Sequence, residues 1–136
     1  MANISAYAEK AMLDWMNRNV APATVASRAI GLSTGAPSSV SGSEMVTGSG
    51  YTRQACGTTG FSTASSPAGT TKNASAYTFG PFLTAYSITG IQIWDTAAVA
   101  VDTGNMHWYG NLATARTVAS GDSLVVAVDA LTLSLA

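Results

Sequence analysis

The chain has 136 residues and a mass of 13.8 kDa, enough for one domain with its own hydrophobic core. Six lysines and arginines stand against seven aspartates and glutamates. The resulting net charge of −1 argues against a nucleic-acid partner, which would require a basic surface. The single cysteine excludes an internal disulfide, and one cysteine with one histidine argues against a structural zinc site, so we expect no cofactor.

The scarcity of charge is the unusual feature of the composition. Charged residues form 10% of the chain, hydrophobic residues form 47%, and the mean hydropathy is +0.23. Soluble surfaces usually carry about 25–35% charged side chains, whereas here 33 serines and threonines take their place. Two interpretations remain open: a β-protein with a neutral polar surface, or a subunit largely covered by copies of itself or by a partner.

The N-terminal segment does not have the pattern of a targeting sequence. No basic stretch precedes an apolar run there, and Glu9, Lys10 and Asp14 interrupt it. No stretch in the chain approaches the ~18 consecutive apolar residues of a membrane span. We therefore expect neither a signal peptide nor a membrane partner.

Residues 1–20 are predicted to contain a helix. Apolar side chains recur there at helical spacing and form one stripe: Ile4, Tyr7, Ala8, Ala11, Met12 and Trp15. Ser5 or Asn3 can serve as the N-cap. The stripe predicts a helix that packs on its own sheet, and the alternative is a docking anchor for a neighbouring subunit.

The next part of the chain predicts a strand and then long loops. Residues 25–33 are a candidate strand in which Ile30 and Leu32 share one face. Residues 33–75 are rich in glycine, serine and threonine, which predicts long loops around a short strand near 51–56. Within this region, residues 66–73 are expected to form a turn or an exposed loop.

Alternating patterns dominate the rest of the chain. Strands are predicted at residues 77–81, 86–94, 105–112 and 116–119, with a turn at Gly121-Asp122. The closing segment changes phase: Leu124, Val126 and Val128 keep one parity, and Leu131, Leu133 and Leu135 keep the other. This slip predicts a bulge or kink near Asp129-Ala130.

The sum of these elements is one helix followed by six to eight short strands. This order predicts a mainly β fold, an antiparallel β-sandwich or barrel-like domain with an N-terminal α-helix. We expect a single domain over residues 1–136, in which residues 25–136 form the β-domain.

Few side chains offer catalytic chemistry. His107 is the only imidazole, so any Ser-His-Asp or Cys-His centre would have to include it, and no nucleophile motif accompanies it. Cys56 has no basic neighbour in sequence closer than Arg53, and we interpret it as an unreactive strand residue. Three aspartates near predicted turns lack the spacing of a calcium loop: Asp95, Asp102 and Asp122. We expect no enzymatic activity and no metal site.

Two short motifs have simple structural explanations. Gly48-Ser49-Gly50 resembles the beginning of a phosphate-binding loop, but the lysine and the strand–helix context of that loop are missing. Asn73-Ala74-Ser75 matches the N-glycosylation pattern, which occurs by chance in many chains. We interpret both as parts of turns or loops.

An ordered series of motifs extends over nearly the whole chain. In chain order they lie at residues 5–15, at Glu44 followed by 48–54, and at residues 91–95, 105–112, 116–124 and 130–133. In this order and spacing, the chain resembles a family of small bacteriophage virion proteins that are commonly labelled tail-fibre proteins and in some cases head-decoration (cement) proteins. Residues 28–37 depart from the run that the family shows after its first strand.

The resemblance implies a phage structural protein without catalytic residues. Because the chain is compact and free of repeats, we expect a capsid cement subunit that stabilises the head shell, located on the capsid surface and assembled in the host bacterial cytoplasm. A tail or fibre component for host attachment is the first alternative, and a carbohydrate-binding β-module is the second. The expected partners are the major capsid protein and copies of the chain itself in a homo-oligomer such as a trimer.

Aromatic and long side chains in these motifs are the candidate anchors of a core or a subunit interface. They are Tyr7, Met12, Trp15, Tyr51, Arg53, Trp94, Trp108 and Tyr109. Trp94 and Trp108 lie on adjacent alternating segments, so we expect both to be inside the sandwich or at a subunit contact. An exposed flat face formed by Trp94, Trp108 or Tyr109 would instead favour carbohydrate binding.

Overall fold

The computed structural model describes residues 2–25, 27–46, 48–65, 67, 69–98 and 103–135. These residues form one helix and nine strands, which confirms the mainly β class. In chain order the elements are β1 (Asn3–Ile4), α1 (Ala6–Arg18), β2 (Ala29–Ser33), β3 (Gln54–Ala55), β4 (Thr70–Lys72), β5 (Tyr77–Phe79), β6 (Tyr86–Trp94), β7 (Met106–Val118), β8 (Leu124–Val126) and β9 (Thr132–Ser134).

The strands form one large antiparallel sheet and two small ones. The large sheet has the order β1-β7-β6-β2-β3, and the two-stranded sheets pair β4 with β9 and β5 with β8. Buried side chains from both small sheets, including Phe79 and Leu133, join Ile30 and Ile93 of the large sheet in one hydrophobic core. The described strands are therefore layered around this core and do not close into a barrel.

The predicted N-terminal helix is confirmed as α1. Ser5 is its N-cap and accepts a hydrogen bond from the backbone N–H of Ala8, and Asn19 ends the helix in the left-handed conformation with φ 54°. Of the predicted apolar stripe, Ala8 is buried whereas Trp15 is 55% exposed, because the second half of the helix has few contacts with the sheet. No helix in the described ranges is long and apolar enough to cross a membrane.

The strand predicted at 105–112 and the one at 116–119 are a single strand, β7. The pairing partners of β6 show why two were predicted: Ile88 lies opposite Arg116, but Gly90 lies opposite Asn111. Four residues of β7, 112–115, therefore lie opposite the single residue Thr89 of β6 and form a large bulge. The interruption in the alternating pattern is this bulge rather than a loop.

The prediction of a turn or exposed loop at residues 66–73 is wrong for the second half of that range. Thr70–Lys72 is a strand that pairs antiparallel with Thr132–Ser134, while Ser66 and Ala68 lie outside the described residues. Lys72 lies opposite Thr132 in this ladder. The partner strand is 60 positions away in the sequence, so local turn-forming composition could not reveal it.

The bulge or kink predicted near Asp129-Ala130 is a turn of the backbone rather than a bulge within one strand. Asp129 has φ 62°, and the chain turns there between β8 and β9, which pair with different strands. The backbone N–H of Asp129 donates to the carbonyl oxygen of Asn73 at 3.0 Å. The change of parity therefore marks a crossing from one small sheet to the other.

Register places two kinds of side chain on opposite faces of the large sheet. Ile30, Ile93 and Trp108 form one cross-strand row, and Gly31, Gln92 and Tyr109 form the next. Because successive side chains in a strand point to opposite faces, the first row faces the hydrophobic core and the second faces a polar layer. This polar layer contains the candidate site.

Candidate functional site

The eight predicted anchor residues divide by exposure, and they do not form one surface. Three are buried: Tyr51, Arg53 and Trp94. Three are half-buried: Met12, Trp108 and Tyr109. Two are exposed: Tyr7 and Trp15. The buried ones lie in a polar cluster behind the large sheet, and the exposed ones lie on α1.

Arg53 and Glu44 form the centre of the polar cluster. Arg53 Nε and Nη2 donate to the two carboxylate oxygens of Glu44, each at 2.6 Å. Nη1 of the same guanidinium donates to the carbonyl oxygens of Thr96 and Thr103 at 3.0 and 2.7 Å. The guanidinium carbon also lies 4.1 Å from the ring centroid of Trp94. The buried charges are thus paired and hydrogen-bonded within the interior.

Tyr51 connects this ion pair to β2. Its hydroxyl donates to Glu44 Oε1 at 2.8 Å and accepts a hydrogen bond from the backbone N–H of Leu32 at 3.0 Å. Burial, reinforced by the neighbouring Glu44 carboxylate, raises the pKa of Tyr51 well above its usual value. The phenol is therefore a neutral hydrogen-bond donor at physiological pH.

Gln92 completes the cluster on β6. Its side-chain amide donates to Ser33 Oγ and to the carbonyl oxygen of Gly42, and its Oε1 accepts from Trp94 Nε1 at 3.3 Å. A Cβ atom at Gly31 would lie 2.8 Å from Gln92 Oε1, so only glycine leaves room for this arrangement. We call Ser33, Glu44, Tyr51, Arg53, Gln92 and Trp94 the polar cluster.

The polar cluster is suited to fixing loops rather than to chemistry. It joins residues 34–46 and 48–53, which contain no helix or strand, to β2, β6 and the carbonyl groups of Thr96 and Thr103. Sequence reasoning selected three of its members but missed Glu44, Gln92 and Ser33. A signal was available, because Glu44 and Arg53 are the only charged residues between positions 33 and 71. Opposite charges isolated in a neutral segment indicate an internal ion pair.

His107 and Cys56 lie in apolar surroundings. The His107 ring meets Tyr7 edge-on with 5.4 Å between ring centroids, and its Nε2 is buried without a hydrogen-bond partner among the described residues. Burial lowers the pKa of His107, with Arg28 acting in the same direction and Asp95 against it. Burial likewise raises the pKa of the Cys56 thiol. At neutral pH the first is an uncharged imidazole and the second a protonated thiol.

The aspartates that the sequence placed at turns act as backbone caps. Asp95 accepts hydrogen bonds from the backbone and side-chain N–H groups of Asn105, and Asp122 accepts one from the backbone N–H of Ala119. Asp102 lies outside the described residues. Within the described ranges, no group of three or more histidine, cysteine, aspartate or glutamate side chains could hold a metal ion.

Asn73, the residue of the glycosylation pattern, is completely buried. Its Nδ2 donates to the carbonyl oxygens of Ser75 and Ala127 at 2.8 and 2.7 Å, and its Oδ1 accepts from the backbone N–H of Leu131 at 2.8 Å. The amide therefore holds the turn between β8 and β9. A glycan on this nitrogen is incompatible with the fold.

Residues 2–18, which comprise β1 and α1 and which we call the N-terminal arm, are attached mainly through the backbone. Asn3 and Ile4 pair with Tyr109 and Trp108 at the outer edge of β7. The backbone N–H and the hydroxyl of Ser5 donate to the carbonyl oxygens of His107 and Met106, and Ala6 N–H donates to that of Ser39. The arm thus adds a fifth strand to the sheet and places α1 beside it.

Helix α1 leaves large apolar side chains in solvent. Leu13, Trp15 and Met16 are 61%, 55% and 73% exposed. Three of its four charged residues form a ladder in which Asp14 pairs with both Lys10 and Arg18, and the fourth, Glu9, is exposed four positions before Leu13. A cavity of about 160 Å³ separates the helix from the body, lined in part by Met12, His107 and Trp108. The arm therefore offers an apolar surface that its own body does not cover.

One protein-family model matches nearly the whole chain. The family model described as "Podophage GP4 fiber I protein gp80" matches residues 3–134. No curated protein matches the chain. The family match includes every motif on which the resemblance to phage virion proteins rested, and it confirms that resemblance.

Proposed function

The chain belongs to this family of podophage fibre proteins, and from that premise we propose that it is a tail-fibre subunit that assembles with copies of itself. Membership makes it a phage structural protein of the virion. The capsid cement role, which we expected first from the sequence, becomes the second candidate, because the family description names a fibre. The family match is the observation that carries the fibre assignment.

The surface of α1 supports assembly. Exposed Leu13, Trp15 and Met16 form an apolar surface on the N-terminal arm, and covering apolar surface contributes about 25 cal/mol for each Å² removed from water. Three of the four charges of the helix are already paired in the Lys10–Asp14–Arg18 ladder, so Glu9 is the only other charge of the helix that a neighbour would have to leave in water. These two properties favour a protein contact at the arm.

The interior supports a mechanical role. The polar cluster holds residues 34–46 and 48–53 in place through an ion pair and buried hydrogen bonds. These residues contain no helix or strand, so the polar cluster is what gives this part of the subunit a defined shape. A fibre subunit connects neighbouring subunits of the virion to the host surface, and it therefore requires such a rigid body. The major capsid protein would be the partner only under the cement alternative.

We also propose that the subunit acts by binding rather than by catalysis. His107 is an uncharged imidazole against Tyr7, and the Glu44 carboxylate is engaged by Arg53 and Tyr51. His107→Asn is expected to leave virion yield and infectivity near the wild-type level, since asparagine is polar and uncharged like the neutral imidazole but cannot shuttle a proton. Release of host-surface sugar by the wild type that disappears in a folded, assembled His107→Asn variant would overturn this proposal.

The carbohydrate-binding alternative has less support from the aromatic residues. Trp94 is 3% exposed and lies under the Arg53 guanidinium, so it cannot form a sugar platform. Trp108 and Tyr109 are half-buried beside the N-terminal arm. The two exposed aromatic candidates, Tyr7 and Trp15, are instead on α1.

The phenotype of a phage that lacks this protein distinguishes the fibre role from the cement role. Under the fibre proposal, such particles keep intact, DNA-filled heads but adsorb poorly to the host, and labelled antibodies against the protein mark the tail of wild-type virions. Under the cement alternative, adsorption is normal but heads lose DNA on heating or chelation. Normal adsorption together with fragile heads would therefore overturn the fibre proposal.

Self-association has its own test in sedimentation of the purified protein. We expect an oligomer that is weakened by Trp15→Gln or Met16→Gln, because either change removes apolar surface from α1. Leu83→Gln is the matched control, since Leu83 is also a highly exposed aliphatic residue but lies outside the arm. A single 13.8 kDa species at tens of micromolar that binds no tail or capsid protein would contradict self-association.

A further inference from the structure

The contacts that hold the N-terminal arm are available in identical form on a second copy of the chain. Ser5 N–H and Ala6 N–H donate to backbone carbonyl oxygens, and β1 adds to the edge of β7 through backbone pairing. Such groups are the same in every copy. Every copy also carries the same His107 ring for Tyr7, so the arm can make on a neighbour's body the contacts that it makes on its own.

The connection between the arm and the body is long enough to permit exchange. The described residues between α1 and β2 form neither helix nor strand, and Asn19 to Thr24 are exposed. The exposed part of the connection, residues 19–24, numbers six, and six extended residues span about 20–22 Å. This linker allows the arm to leave its own body while Arg28, whose carbonyl oxygen accepts a hydrogen bond from Cys56 N–H, stays in place before β2.

The arm is packed loosely on its own body, so little packing is lost when it detaches. Leu13 and Met16 face water, and a cavity of about 160 Å³ lies beneath the helix. Beside the same edge of β7, a groove of about 330 Å³ runs between the sheet and residues 130–133, and none of its lining residues is charged. Lys10, Asp14 and Arg18 are paired within the helix, so Glu9 is the one charge of α1 that the interface must keep in water.

From these observations we propose that the N-terminal arm is exchanged in the assembled protein, so that β1 and α1 of one copy occupy the β7 edge of a second copy. The inference rests on the proposed self-association and adds a contact at the β7 edge to the one at the exposed face of α1. Exchange retains every backbone contact of the closed subunit and links the bodies through the connection between α1 and β2.

Engineered cysteines can distinguish an exchanged arm from a closed one. Asn3 lies directly opposite Tyr109 in the β1–β7 pairing, at a spacing compatible with a disulfide. We would place Asn3→Cys and Tyr109→Cys in a Cys56→Ala background and oxidise the oligomer. An exchanged arm yields disulfide-linked dimers and larger species on a non-reducing gel, whereas a closed arm yields only internally linked monomers.

The matched control pair lies within the body. Thr78 and Val125 are opposite each other in the β5–β8 pairing, and both are exposed, so Thr78→Cys with Val125→Cys must give linked monomers in either case. If sedimentation shows an oligomer but the arm pair also gives only monomers, exchange is overturned and self-association stands. If the protein sediments as a monomer, both proposals fail.

A hinge variant tests the same inference without cysteines. Deletion of residues 21–23 shortens the connection and makes closure onto the same body less favourable, while the arm and its acceptor edge remain unchanged. Exchange predicts that the apparent dissociation constant of the oligomer falls at least ten-fold. An unchanged constant in the folded deletion variant would overturn the inference.

Discussion

Arg53 and Glu44 form a buried ion pair in which two N–H groups of the guanidinium each meet one carboxylate oxygen at 2.6 Å, with side chains only 1% and 2% exposed. A chain with 13 charged residues places two of them in its interior. Desolvation of such a pair is costly, and its retention requires that the remaining polar groups are also satisfied. Here Tyr51 and the carbonyl groups of Thr96 and Thr103 supply those partners.

The first prediction concerns this pair. Glu44→Leu or Arg53→Met alone should lower the free energy of unfolding by about 3–5 kcal/mol, because each leaves an uncompensated buried charge. The double variant should lose clearly less than the sum of the two, and urea-induced unfolding measures all four proteins. Additive losses would show that the two side chains do not depend on each other.

The second prediction compares two tryptophans of adjacent strands. Trp94→Ala should lower the free energy of unfolding by about 3–5 kcal/mol, because the side chain is buried and supports Arg53 and Gln92. Trp108→Ala should cost less, since Trp108 is only half-buried. Thermal or urea unfolding gives the comparison, and a Trp94→Ala variant as stable as the wild type would contradict the position of this ring in the interior.

The third prediction concerns Asn73. Asn73→Ala should lower the free energy of unfolding by about 2 kcal/mol or more, because three part-buried hydrogen bonds are lost and each contributes about 0.5–1.5 kcal/mol. Asn111→Ala is the control, as Asn111 is exposed on β7. Hydrogen exchange should also show faster opening of the turn at residues 127–131. Equal stability of the two variants would argue against the role of this amide.

The fourth prediction is a pH dependence due to His107. Burial lowers the pKa of His107 below its ordinary value of 6.5, so below pH 6.5 the unfolded chain takes up a proton more readily than the folded one. The free energy of unfolding should therefore decrease as the pH falls from 6.5 toward the lowered pKa. Urea midpoints at pH 7.5 and 5.5 measure this decrease, which His107→Gln should reduce. A decrease of the same size in the variant would assign the effect to other groups.

Elements that depend on near neighbours in sequence were predictable. The limits of α1 follow from the Ser5 cap and from apolar spacing within a few turns. The alternation at 86–94 predicted β6 with the same limits, Tyr86–Trp94, because a strand between two buried layers shows its pattern locally. The motif order indicated a phage virion family for the same reason, since each motif is a local pattern.

Other features were decided by contacts between distant parts of the chain. Thr70–Lys72 became a strand only because Thr132–Ser134 pairs with it, and Glu44 entered the interior only because Arg53 meets it there. The eight anchor residues likewise looked equivalent in sequence, yet Trp94 is buried and Trp15 is exposed. The sequence by itself determined the local elements and the family, through propensity, capping and periodicity. The tertiary structure decided which apolar and charged groups are covered, because burial depends on packing between residues that are far apart along the chain.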